Sequence, residues 1–153
     1  MASNNTNLAG EFYAMHVLFR QGYVPALTLG NTKGVDILLY NPENEKQFKI
    51  EVKTSRQKKN EILFGRSYAW MMKSKHEVIA DPNLIYCFVF IPKENLQHPQ
   101  TFFVPSDVVA KYVKWEHKYY LENRIKSKDT EIRTYRILLD EANKWENNMS
   151  LFR

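Results

Sequence analysis

The sequence has a single cysteine, Cys87, so no disulfide can form within the chain. Because Cys87 lies in the apolar run from Leu84 to Ile91, it reads as a small buried hydrophobe and a poor nucleophile. The four histidines, His16, His76, His98 and His117, have no companion cysteine or histidine at zinc-ligand spacing, and His76-Glu77 lacks the second histidine of a zinc protease. All four are expected to be ordinary surface or core histidines. There is no Gly-x-Ser-x-Gly elbow of a serine hydrolase. The segment Gly30 to Gly34 holds two glycines and Lys33 but lacks the Gly-Lys-Ser/Thr of a nucleotide-binding loop, so it is expected to be a turn with a substrate contact, not an ATP site. Nowhere do eighteen consecutive apolar residues occur, and the start, MASNNTNLAG, has no basic segment leading into an apolar one. A cytoplasmic protein with no membrane partner is expected. No internal repeat or low-complexity segment is visible.

What the chain does have is size and positive charge. Its 153 residues suit one domain, 1–153, able to bury a single core without disulfides or a structural metal. The net charge of +5 points toward a polyanionic partner. The excess is concentrated: between Lys46 and Lys75 stand Lys46, Lys49, Lys53, Arg56, Lys58, Lys59, Arg66, Lys73 and Lys75, against only Glu51 and Glu61. Such a cluster is either a generically solvated surface or the basic rim that a phosphodiester substrate requires.

Within that region, Gly34 to Ser55 (GVDILLYNPENEKQFKIEVKTS) reads as a β-hairpin. Val35, Ile37 and Leu39 share one face of the first strand, leaving Asp36 on the other; Phe48, Ile50 and Val52 share one face of the second, leaving Glu51 and Lys53 opposite. The polar segment Asn41-Pro42-Glu43-Asn44-Glu45 forms the turn. A turn centred between Glu43 and Asn44 sets Asp36 across from Glu51. Directly opposed residues have Cβ atoms about 4.5–5.5 Å apart, where two like charges repel. An acid-x-base strand pattern is commonly a solvated face, but Asp36 interrupts an otherwise apolar run, where an unpaired charge is costly. A divalent cation such as Mg²⁺ offsets the repulsion, since it is held by one or two carboxylates with its remaining positions left to water and phosphate oxygens.

Glu11 on the first helix, Gly34-Val35-Asp36, and Glu51-Val52-Lys53 on the following strand together resemble the PD-(D/E)XK nuclease superfamily, in the manner of Holliday-junction resolvases, Mrr-like enzymes and restriction endonucleases. The likeness is best over Leu8 to Ser55, and Val35 stands where the family name has proline. It implies an α/β fold with a restriction-endonuclease-like core: a central mixed β-sheet flanked by helices in the order αβββαβ, followed here by a C-terminal helix and strand. It also implies that Asp36, Glu51 and the backbone carbonyl of Val52 hold Mg²⁺ or Mn²⁺, that Lys53 positions the attacking water, and that Glu11 holds a second ion or a water-mediated contact.

The remaining pattern is read in chain order. Asn4 to Tyr23 is expected to be a helix burying Leu8, Phe12, Met15 and Phe19, with Gly22 ending it. Glu11 falls at the edge of that stripe, where it either reaches the sheet or merely favours an early helical turn. Strands are expected at Tyr23–Leu29, Glu61–Phe64, Leu84–Pro92 and Thr101–Val104, and a helix at Arg66–Glu77. A second helix opens at Pro105 with Ser106 as its cap; Val108, Tyr112, Trp115 and Tyr119 on one face are read as packing in preference to a nucleic-acid surface beside Lys111, Lys114 and Lys118. Ile132–Leu138 suits a strand or a helix, with strand preferred, and Ala142, Trp145, Met149 and Phe152 dock the end of the chain.

The expected function is a Mg²⁺-dependent endonuclease acting on DNA in preference to RNA. Lys33, Arg56, Lys58, Lys59 and Arg66 are the candidate nucleic-acid contacts, and a homodimer would serve to cut both strands. The competing reading is a catalytically silent nucleic-acid-binding protein that keeps the fold and acts within a larger complex.

Overall fold

A computed structural model of the protein describes residues 3–29, 34–94, 96–124, 128–140 and 144–153. The elements are α1 (Ser3–Arg20), β1 (Val24–Leu27), β2 (Ile37–Tyr40), β3 (Gln47–Ser55), β4 (Lys58–Glu61), β5 (Gly65–Lys73), β6 (Leu84–Phe90), β7 (Gln100–Pro105), α2 (Ser106–Asn123) and β8 (Ile132–Leu138). Short 3-10 turns occupy Ser74–Glu77 and Met149–Phe152. Five strands form a mixed sheet in the order β1-β2-β3-β6-β7, parallel only between β3 and β6, and β4-β5-β8 form a second, antiparallel sheet. The expected α/β class, with its central mixed sheet flanked by helices and its C-terminal helix and strand, is what the chain adopts.

Strand β6 explains how the layers hold together. Every one of its side chains is buried, because the period of two sends Leu84, Tyr86, Phe88 and Phe90 to one face and Ile85, Cys87 and Val89 to the other. The first set packs with Trp70, Phe102, Val109 and Tyr135, joining the second sheet and α2 to the central sheet. The second set packs with Ala14, Leu18, Phe103 and Phe152, joining α1 and the end of the chain. Cys87 is fully buried, as expected, and burial pushes its thiol up, out of the range of a reactive thiolate.

Four expectations are corrected. The strand expected at Glu61–Phe64 lies earlier, as β4, and 62–64 form the turn into β5. Arg66–Glu77 is not a helix: Gly65–Lys73 is a strand, followed by one 3-10 turn. The spacing of Tyr68, Met71 and Met72 suggested helix, but Tyr68, Trp70 and Met72 alternate, and all three enter the core. The connection from β3 to its parallel neighbour β6 therefore runs through strands, and this is where the chain departs from the αβββαβ order.

The buried face of α1 also differs. Gly10, Ala14 and Leu18 face the sheet, while Leu8, Phe12 and Phe19 lie exposed on the outside. The helix lies too close to β3 for large side chains: a Cβ at Gly10 would stand 1.9 Å from Thr54 Oγ1 and 2.9 Å from Thr54 Cβ. Gly10→Ala is therefore expected to lower stability by about 1–3 kcal/mol through overpacking, offset by about 1 kcal/mol of helix propensity. Urea denaturation reads the net loss, and a variant at least as stable as the parent would refute the close docking. The helix ends as anticipated, with Gly22 at φ +86° and the N–H groups of Gly22 and Tyr23 donating to the carbonyls of Phe19 and Leu18.

Finally, Ser106 does not cap α2. Its Oγ accepts from the Asp81 N–H at 2.9 Å and donates to the Asp81 carbonyl at 2.7 Å, tying the helix start to the loop before β6, and Pro105 takes the cap position. The buried face of α2 is Val109, Ala110, Val113 and Glu116, with Tyr112 packed beside it and Trp115 exposed. The strand at Ile132–Leu138 is present as β8, whereas Ala142 lies outside the described residues.

Candidate active site

The hairpin has the expected register. Ile37 stands opposite Ile50 and Tyr40 opposite Gln47, which centres the turn between Glu43 and Asn44. One residue beyond β2 the pairing shifts, because the Asp36 N–H donates to the Ile50 carbonyl at 2.8 Å. The Asp36 side chain then bends across to β3, where its Oδ2 accepts from the Val52 N–H at 2.7 Å. On its other side the Asp36 carbonyl accepts from the Thr28 N–H at 3.0 Å, so the carboxylate stands on a backbone held by both neighbouring strands. Gly34 precedes it at φ +77°, a conformation that glycine adopts without strain, and a Cβ there would lie 3.6 Å from Glu51 Oε2.

Glu51 is only 5% exposed. Its Oε1 lies 2.6 Å from Lys53 Nζ, two residues along the same face of β3, and 3.6 Å from His76 Nε2. Burial pushes this carboxyl up, but the neighbouring His76 imidazole and the Lys53 ammonium more than reverse that effect and bring its pKa down to about 2. Asp36 is affected the other way: burial pushes it up and the Glu51 charge adds to this, while the Val52 amide and Lys53 oppose it without prevailing. Glu11, at the edge of the buried face of α1, is also raised, first by burial and then by Asp36. The three acids thus form one repelling group in which Glu51 is firmly ionised and the other two are strained.

Glu51, depressed, adds stability above its unfolded value near ~4.3 and loses it as pH falls through about 2. Asp36, raised, costs stability at neutral pH, and the cost disappears as pH falls through its folded pKa. Asp36→Asn keeps an acceptor for the Val52 N–H and removes the charge. In chelator its melting temperature is expected to exceed that of the parent at pH 7, by a margin that shrinks on acidification; a lower melting temperature at pH 7 would contradict the repulsion.

Glu11, Asp36, Glu51, Val52 and Lys53 line one cleft of about 560 Å³, together with Lys75, Trp70 and Met71. The residues singled out for catalysis are therefore brought together. Lys75 joins them from the 3-10 turn after β5, although in sequence it was merely one member of the basic run. His76 was not anticipated at all: it is 2% exposed, and neither its spacing nor its neighbours in sequence set it apart from the other histidines.

Among the described candidate nucleic-acid contacts, Arg56, Lys58, Lys59 and Arg66, none lines this cleft. Arg56 and Lys58 border a pocket of about 350 Å³ past the end of β3, where Arg56 Nη2 donates to the carbonyls of Pro92 and Lys93. Lys58 Nζ stands 5.2 Å from the Phe90 ring centre. Lys59 borders a groove shared with Arg133 and Arg136, Arg66 is exposed on β5 opposite Asn60, and Lys33 lies outside the described residues.

No family model and no curated protein matches the chain. Among solved structures it is similar to a bacterial homing endonuclease, I-Ssp6803I, with a TM-score of 0.63 and 11% identity over 99% of this chain and 91% of that one. The fold is one that a nuclease uses. In this chain the fold carries its acids at the Asp36 end of the β2–β3 hairpin, where the first helix overhangs the sheet. Among the described residues no three His, Cys, Asp or Glu side chains form a metal cage. The donors present, two carboxylates and a backbone carbonyl between Glu51 and Lys53, are all oxygen, a set that fits Mg²⁺ or Mn²⁺ with water completing the shell. Such a cation would relieve the repulsion of Asp36 by Glu51 and of Glu11 by Asp36. No helix among the described residues is long and apolar enough to cross a membrane.

Proposed function

We propose that the protein is a metal-dependent endonuclease of the PD-(D/E)XK type, hydrolysing phosphodiester bonds of nucleic acid, with DNA as the expected substrate. The observation that carries this reading is the meeting of Asp36, Glu51 and Lys53 in one cleft, on a fold shared with a homing endonuclease. Asp36, Glu51 and the Val52 carbonyl would hold Mg²⁺ or Mn²⁺, which when bound polarises the scissile phosphate and stabilises the charge that develops on it. Asp36 is presented by the Val52 N–H, and Glu51 is kept ionised by its neighbours. Lys53 places an ammonium two residues from the metal ligand, where it can hydrogen-bond the attacking water and lower the energy of the phosphorane-like charge. Glu11 stands by for a second ion or a bridging water. Two strands of a duplex present two scissile phosphates, so double-strand cutting calls for a second copy of the chain.

A silent nucleic-acid-binding module is the competing reading, and the cluster of acids speaks against it, since Glu11, Asp36 and Glu51 would only repel phosphate. The test is a panel of labelled duplex, single-stranded, flap, four-way-junction and RNA substrates in Mg²⁺, Mn²⁺ or chelator. Metal-dependent cleavage of at least one DNA substrate is expected. Binding of these nucleic acids without cleavage in either metal would put the binding module in its place.

A further inference from the structure

The catalytic reading uses the two carboxylates but not the group that stands behind one of them. His76 is the third residue of the 3-10 turn that follows β5, and its ring is almost wholly buried. Its Nδ1 lies 2.9 Å from the Lys73 N–H nitrogen and 3.0 Å from the Lys73 carbonyl oxygen, and its Nε2 is buried with no hydrogen-bond partner inside normal distance among the described residues. That Nε2 points at Glu51 Oε1 across 3.6 Å. Tyr86, level with Glu51 on the adjacent strand β6, sets its ring edge-on to the imidazole, 6.0 Å between centres at 73°, so the imidazole is packed from the side as well as tethered below.

The hydrogen on Nε2 follows from these contacts. If the ring is neutral with Nδ1 accepting from the Lys73 N–H, the hydrogen is on Nε2. If the ring is charged, Nδ1 donates to the Lys73 carbonyl and Nε2 again carries a hydrogen. Only the remaining tautomer would turn a lone pair toward a buried carboxylate, which is electrostatically unfavourable.

The two Glu51 oxygens are thereby made unequal. Oε1 is approached by Lys53 and His76, and Oε2 lies toward Gly34, two residues before Asp36 in the chain. We infer that His76 is a positioning residue: its Nε2–H holds Oε1 and so presents Oε2 of Glu51 to a divalent cation shared with Asp36. This rests on the metal-site reading above and adds to it a buried donor that fixes the ligand from behind, as outer partners commonly do for metal-bound carboxylates.

The alternative role for His76 is structural, with Nδ1 merely capping the turn through Lys73. Two substitutions separate the roles, because the amide of Asn reaches about as far as Nδ1 and that of Gln about as far as Nε2. His76→Asn keeps the turn contact and deletes the donor to Glu51; His76→Gln does the reverse. Mn²⁺ binding is measured by calorimetry in the absence of nucleic acid, and melting temperature is measured in chelator.

His76→Asn is expected to weaken Mn²⁺ binding by about 10-fold or more, the loss usual for a removed outer partner, while His76→Gln stays within about threefold of the parent. Equal Mn²⁺ affinity in His76→Asn and the parent would overturn the inference and leave the turn-capping role. Nitrogen NMR of the unmodified protein gives an answer that needs no variant to fold: Nε2 is expected to carry a hydrogen at neutral pH, and a bare Nε2 would also overturn it. A parent protein that binds no Mn²⁺ removes the metal-site reading itself and this inference with it, whereas a parent that binds normally confines any failure to His76.

Discussion

Asp36→Asn and Lys53→Met are each expected to lower Mg²⁺-dependent cleavage by about 10²-fold or more at saturating metal, the scale on which enzymes lose rate when one group that stabilises transition-state charge is removed. The two should fail differently. Asp36→Asn removes a proposed metal ligand while preserving the acceptor for the Val52 N–H, so a higher metal concentration should be needed before any cleavage appears. Lys53→Met leaves Asp36 and Glu51 in place, so metal binding should persist. Because the Asp36 charge is strained by burial and by Glu51, the asparagine variant should be inactive yet more heat-stable than its parent in chelator at pH 7. That combination excludes misfolding as the cause of inactivity. Cleavage within about tenfold of the parent for both variants would mean that the reaction is carried elsewhere.

The second large effect is on stability. Arg136, on β8, is buried between two acids: its Nε donates to Glu116 Oε1 at 3.0 Å, and its Nη1 lies 2.6 Å from Glu61 Oε2. The guanidinium also covers the Phe64 ring, 4.6 Å from its centre. Burial pushes the Glu116 carboxyl up, and the Arg136 charge, helped by hydrogen bonds from Arg136 and Tyr112, only partly opposes it. Arg136→Ala should cost about 3–5 kcal/mol, because it strands a buried carboxylate instead of removing a pair. For a chain of this size, that is a fall of roughly 10 °C in melting temperature. Replacing the pair together, Arg136→Met with Glu116→Gln, should recover most of the loss. A single-variant loss below about 1 kcal/mol would show that the cluster is screened like a surface pair.

Much of the site was legible because it rests on strand arithmetic. Asp36 interrupts an apolar alternation, Glu51 and Lys53 share the opposite face of the next strand, and a short polar turn leaves few registers between them. β6 was readable on different grounds, as a short and nearly continuous apolar run rich in Ile, Val, Phe and Tyr, which suits a central buried strand. Helix faces were less legible, since large apolar side chains mark a buried face only when the helix stands off at the usual distance. Against β3 the place is taken by Gly10 and Ala14, and Phe12 and Phe19 turn outward. At β5 the alternation of Tyr68, Trp70 and Met72 was visible, but helical spacing of Tyr68, Met71 and Met72 competed with it. His76 left no trace, because its partner Glu51 is brought to it by the packing of β3 beside β6 and the turn after β5, not by any local pattern.

The pairing of β5 with β8 joins residues 59 to 71 positions apart, from Lys73 with Ile132 to Ser67 with Leu138. A newly made chain thus completes its β4–β5 hairpin long before the strand that covers its other edge is available. Until then β5 offers an open row of peptide groups beside Tyr68, Trp70 and Met72, the sort of edge on which chains associate with one another. Folding should accordingly be slow for a protein of this length, limited by the search that brings β8 home. Yield on refolding should fall with protein concentration, and a peptide spanning Ile132–Leu138, added in excess during refolding, should reduce recovery by occupying that edge first.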